Sequence, residues 1–166
     1  MKKGVWLFLF FCVLAGVAFF LKPEDLSATG KMEAAYPHRT EGAWEYPIQP
    51  GTEEWVDLGS TKKRREACCV PREALENMDT EALLETALTY PFCLDMLAFD
   101  RAEDGYRHQL GHNSALLALE GRSDRHEVTQ ARLEDMAAWM DEAGRTCSAE
   151  SAFQYDCLTI IQEYME

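Results

Sequence analysis

Positive charge is what this sequence lacks most. It has 16 Lys and Arg against 29 Asp and Glu, a net charge of −13, and Met1–Leu21 contributes two lysines and no acid. Outside that span the balance is 14 against 29, or −15. A chain this acidic repels phosphate backbones and anionic lipid, so we expect no nucleic-acid partner. Alternating apolar and polar positions and hairpin turn pairs are also missing, which argues against a sheet. No repeat of fixed period is visible. Nor is there a G-x-S-x-G elbow, a Gly-rich phosphate loop, a Walker motif or a C-x-x-C pair. These absences exclude the hydrolase, nucleotide, zinc-ribbon and thioredoxin-like classes that depend on them.

What the chain does contain is helical punctuation. The densest stretch, Ala67–Leu97, holds Pro71 at the first turn of a helix and Asp79 or Thr80 as N-cap of another. Tyr90, pushed out of the α region by Pro91, ends that helix, and Pro91 starts a third with Leu94, Leu97 and Ala98 on one face. Upstream, Thr52 caps a short helix closed by Gly59, and Ser60 caps a segment carrying Lys62-Lys63-Arg64-Arg65. That run reads as a solvated helix face or a docking patch for an anionic surface. Downstream, helices are expected over Ala102–Leu110, from Asn113 or Ser114 to Gly121, from Asp124 to Gly144, and from Ser148 onward. Their expected core residues include Leu116, Leu117 and Leu119, then Val128, Leu133, Met136, Ala137 and Met140, then Phe153, Cys157, Ile160, Ile161 and Tyr164. The fold class is therefore all-α, a compact bundle of about six to eight short helices. Paired short helices also suit a helical-repeat stack.

Three regions follow. Residues 1–21 pair Lys2 and Lys3 with an uncharged apolar run from Gly4 to Leu21. Eighteen residues is the lower edge of a spanning helix and more than a usual signal-peptide core, so signal anchor and cleaved signal peptide both remain open. Either places the remainder outside the cytoplasm, membrane-anchored through Gly4–Leu21 or secreted. Residues 22–51 scatter proline, glycine and serine without periodicity and read as a flexible spacer, with Trp44 and Tyr46 near its end packing back onto the domain. Residues 52–166 are the helical extracytoplasmic domain.

Two segments carry a resemblance. The segment YPIQPGTEEWVDLGS (Tyr46–Ser60), followed by ACCVPREALENMDTEALLETALTYPFCLDMLAFD, resembles an uncharacterised module of exported bacterial proteins. Its pattern is YP-x-x-PGT-x-EW, a cysteine–x–hydrophobic–Pro turn, NM-[ST]-T-x-x-L and YP-x-x-x-D-x-x-A. Gly105, Asn113, Leu116, Leu119 and the Arg122–Asp124 pair continue it, so the likeness covers roughly Tyr46 to Met136. It implies an all-helical extracytoplasmic module and no activity. Cys69 stands where that module carries a polar residue, often Gln.

Chemistry-bearing residues are few. His108 and His112 sit at i and i+4, with Asp104 one turn earlier as a third ligand, a set that could take zinc. The motif is H-E-x-x-H with Gln109 in place of the carboxylate base, and Gly111 weakens the helix that would present the pair. The plainer reading is two surface histidines. Cys68, Cys69, Cys93, Cys147 and Cys157 would lie where disulfides persist. The candidate staples are Cys147 with Cys157, or Cys68 or Cys69 with Cys93; buried unpaired thiols are the alternative. Asp95 lies among apolar neighbours and is expected to cap a helix or pair with an arginine such as Arg101 or Arg72. No catalytic set is intact, no cofactor is required, and the expected function is a non-catalytic protein- or peptide-binding module. An extracytoplasmic metal-dependent hydrolase built on Asp104, His108 and His112 is the second reading, and a structural accessory subunit the third.

Overall fold

The computed structural model describes residues 35–37, 40–142 and 147–165. The expected membrane or signal segment Gly4–Leu21 lies outside the described residues, and among those residues no helix is long and apolar enough to cross a membrane. The described chain is all-α, without a β-strand. Its elements are α1 (Glu53–Asp57), α2 (Thr61–Ala67), α3 (Arg72–Asn77), α4 (Thr80–Leu88), a 3₁₀ helix (Cys93–Ala98), α5 (Ala102–Leu110), α6 (Ser114–Glu120), α7 (Arg125–Glu142) and α8 (Ala149–Tyr164). The last two, at 18 and 16 residues, correspond to the helices expected from Asp124 and from Ser148.

Local chemistry explains the boundaries. Thr52, Ser60, Asp79, Asn113 and Ser148 each accept a backbone N–H of the first turn that follows, satisfying a donor the helix cannot pair internally. Gly59, at φ +69°, ends α1 in the left-handed region where a side chain would be strained.

Helix α4 is the hub. Ala82 through Leu88 are all buried, so it carries no single apolar stripe, and it packs against α6, α7 and α8. Those helices bring Ala115, Leu116 and Leu119, then Met136, then Leu158 and Ile161 into the core. Asn113 Nδ2 donates to the Ala87 carbonyl at 2.9 Å, joining the start of α6 to the end of α4. Arg122 donates to the carbonyls of Leu75 and Met78 at 3.2 and 2.8 Å, and Thr80 donates to Asp124 at 2.7 Å. The Arg122–Asp124 turn therefore holds α3 and α4 together.

Residues 40–46 lie on this core. Tyr46 is buried and donates to the Thr86 carbonyl, the Trp44 backbone N–H donates to Thr86 Oγ1, and Arg132 donates to Thr40. Trp44 and Tyr46 thus pack back as expected, and the folded unit extends upstream of Thr52. Arg132 also meets Glu85 at 2.6 Å, with both side chains about nine-tenths buried. A buried pair of this kind is costly to break from one side, because the remaining charge has no water to turn to.

Several expected core positions face solvent instead. The segment after Pro91 is a 3₁₀ helix, whose three-residue turn aligns Cys93 with Met96; these two are buried and Leu94 is half exposed. Leu117 and Phe153 are also exposed, while Leu158 and Thr129, not anticipated, are buried. The 3₁₀ helix lies unusually close to α5: a Cβ added to Gly105 would stand 2.1 Å from the Met96 carbonyl oxygen. Gly105→Ala should therefore destabilise the domain by about 1–3 kcal/mol, the cost of overpacking, or more because the obstacle is backbone. Urea unfolding of the variant checks this; an unchanged midpoint would contradict the close approach.

Candidate functional site

The residues singled out for chemistry converge on the outer side of the 3₁₀ helix. Arg65, from the basic run on α2, is the junction. Its Nη2 donates to Asp95 Oδ2 at 3.0 Å and to His108 Nε2 at 3.2 Å, and its guanidinium lies 5.2 Å from the centre of the Phe92 ring. Asp95 is thus paired with Arg65. The two arginines expected for that role are engaged elsewhere, Arg72 with Glu76 and Arg101 with Glu103. Arg64 lies over Trp55, 5.4 Å from its ring centre, and donates to the Trp55 carbonyl. Half of the basic run is therefore turned onto aromatic rings, while Lys62 and Lys63 are exposed.

Aromatic contacts extend the cluster in both directions. Trp55 meets Phe92 at 5.2 Å between ring centres, His108 meets Phe99 at 5.1 Å, and His108 meets His112 at 4.4 Å. Helix α5 ends at Leu110, with Gly111 as its C-cap. The two histidines therefore straddle the helix end rather than sharing a continuous face. His112 Nδ1 stands 2.8 Å from the His108 carbonyl, a contact that fixes this nitrogen as the donor and leaves Nε2 outward.

This geometry limits the chemistry. An arginine can only donate, so His108 Nε2 accepts from Arg65 and its own proton sits on Nδ1. The lone pair a metal would need is occupied, and a cation there would face the guanidinium. Asp104 is not brought in as a third ligand: among the described residues no group of three His, Cys, Asp or Glu is placed to hold a metal ion. The guanidinium also stands between Asp95 and His108, so the pair does not form a carboxylate–imidazole dyad.

The cysteines are arranged differently from either expected pairing. All five described cysteines are free thiols. Cys147 precedes α8 and Cys157 lies well along it, so the helical rise separates them by roughly 14 Å, twice what a disulfide spans. Cys69 is exposed while Cys93 is buried, and the buried Cys68 thiol is pushed up to about 11 by loss of hydration, with Cys69 adding to the effect. Instead, Cys93 and Cys157 come together in the core, where Cys157 Sγ stands 3.8 Å from the Cys93 carbonyl. The Cys157 side chain, followed by burial, raises Cys93 well above the ordinary thiol range.

A separate cavity of about 260 Å³ is lined by Glu103, Tyr106, Arg107, Leu110, Glu120 and Tyr164. Its carboxylates are already paired, Glu103 with Arg101 and Arg107, and Glu120 with the Tyr106 hydroxyl and Arg125. No family model, curated protein or solved structure matches the chain.

Loss of hydration, then the charges of His112 and Arg65, lower the His108 pKa from its ordinary 6.5, with Asp95 opposing. Because folding depresses this pKa, the stability it contributes is complete above about 6.5 and is lost as pH falls through the folded midpoint. Histidine NMR titration should place His108 below 6.5, and Arg65→Gln should move it upward by removing the nearby positive charge. An unmoved midpoint would contradict the Arg65–His108 contact.

Proposed function

We propose that this chain is a non-catalytic protein- or peptide-binding module, exported by a bacterium and displayed at the cell surface or secreted. The observation supporting this reading is the outer side of the 3₁₀ helix. Cys93 and Met96 hold that helix to the core, while Leu94 and Phe99 are 50% and 40% exposed. Phe99, the C-cap of that helix, meets His108, which meets His112 and accepts from Arg65. Single exposed apolar residues are ordinary, but one on the braced helix and one at its C-cap, beside the tilted histidine rings, have the make-up of an interface anchor. The net charge of the chain argues for a polypeptide partner over nucleic acid.

A hydrolase using Asp104, His108 and His112 is less well supported, because His108 Nε2 already accepts from Arg65. An accessory subunit would use the same strip in a permanent complex. The test is chemical crosslinking of the exported full-length chain in intact cells, beside a Leu94→Ser/Phe99→Ser variant. The variant should keep the helical circular dichroism of the parent and lose about tenfold or more of the crosslinked partner, as truncating an interface anchor does. Equal yields from both chains would reject this strip as the binding surface.

A further inference from the structure

We propose that Cys93 and Cys157 are a disulfide site, closing to a covalent bond between the 3₁₀ helix and α8 when the chain folds in the presence of a disulfide oxidant. The structure shows the reduced state of this pair. Cys93 opens the 3₁₀ helix and Cys157 lies on the inner face of α8; the two residues are 4% and 0% exposed. Cys157 Sγ stands 3.8 Å from the Cys93 carbonyl oxygen, and each cysteine belongs to an element already packed on the other. A disulfide needs the two sulfurs at about 2.05 Å, which side-chain rotation and adjustment of α8 on the 3₁₀ helix would have to supply. Of the other described cysteines, Cys69 is exposed, its thiol 3.7 Å from the Arg65 carbonyl, and Cys147 is a long helical span from Cys157.

Burial also dictates when the bond forms. An external oxidant does not reach either sulfur while α8 is docked, so the first exchange occurs before docking. One cysteine thiolate attacks a small-molecule disulfide, forming a mixed disulfide and releasing one small thiol. As α8 docks, the second cysteine thiolate attacks the protein sulfur of that mixed disulfide and releases the second small thiol. Two protein thiols and one small disulfide thus become one protein disulfide and two small thiols. The bond closes a loop across 64 residues, long enough to restrict the unfolded chain considerably. The inference does not depend on the proposed binding function, since it concerns the interior of the domain.

The test is refolding of the full-length chain in a glutathione redox buffer, followed by alkylation in denaturant and peptide mapping. The six thiols of the chain should fall to four, with the peptides carrying Cys93 and Cys157 linked. Reductant should then lower the thermal midpoint of the oxidised parent and leave that of Cys157→Ala unchanged. If that variant does not fold, the mapping of the parent decides alone. Alkylation of both Cys93 and Cys157 after oxidation, or a link from either to Cys68, Cys69 or Cys147, would overturn the assignment.

Discussion

The approach of α5 to the carbonyl side of the 3₁₀ helix is the contact on which the rest of the structure depends. It exists because position 105 has no side chain: any Cβ would collide with the Met96 carbonyl. With the two elements this close, Gln109 one turn further along α5 can donate to the carbonyls of Phe92 and Cys93, at 2.6 and 3.4 Å. These bonds give a further donor to the Phe92 carbonyl, which already accepts from the Asp95 N–H, and to the Cys93 carbonyl, so that a helix type with poor internal hydrogen bonding is held by a buried side chain. The same position that reads as a lost catalytic base in an H-E-x-x-H motif is therefore a structural amide. Glutamate there would place a carboxylate against two carbonyl oxygens, a repulsion with no compensating donor.

Everything on the outer side of the 3₁₀ helix follows from how its inner side is held. Cys93 and Met96 face the core, so Asp95 and Leu94 turn outward, and Asp95 meets the guanidinium that α2 supplies. Arg65 then takes the Nε2 lone pair of His108 and, behind burial and His112, adds to what makes protonation of the ring unfavourable. Separately, the Glu85–Arg132 pair and the Thr86 hydroxyl hold residues 40–46 against α4. Each of these two polar nodes fixes a chain segment whose own helical propensity could not.

Most of the fold was legible in sequence because helix ends carry local chemical signals. Thr52, Ser60, Asp79, Asn113 and Ser148 each act as the cap their side chain suggests, and the span Ala102–Leu110 is reproduced to the residue. Core faces were less legible. A 3.6-residue period places Leu94 inward, whereas a three-residue turn buries Cys93 and Met96. Leu117, between Leu116 and Leu119, and Phe153, at the head of the Cys157–Tyr164 stripe, read as core from the apolar pattern, which does not say where along a helix neighbours are present. The site was only half legible. The histidines were visible, but their governing partner Arg65 lies 43 residues away from His108, inside a charge run that looks like solvent-facing surface. The meeting of Cys93 with Cys157 depends on where α8 docks, and no spacing rule encodes that.

Native-state hydrogen exchange by NMR tests the central claim, that the 3₁₀ helix is locked to α5 as one cooperative unit. The protected amides of Cys93–Ala98 and those of Gly105–Leu110 should exchange through the same opening, with equal free energies and equal dependence on denaturant. Exchange of the 3₁₀ amides through a separate, lower-energy opening while α5 stays protected would contradict the claim, and the strip carrying Leu94, Asp95 and Phe99 would lose its rigid support.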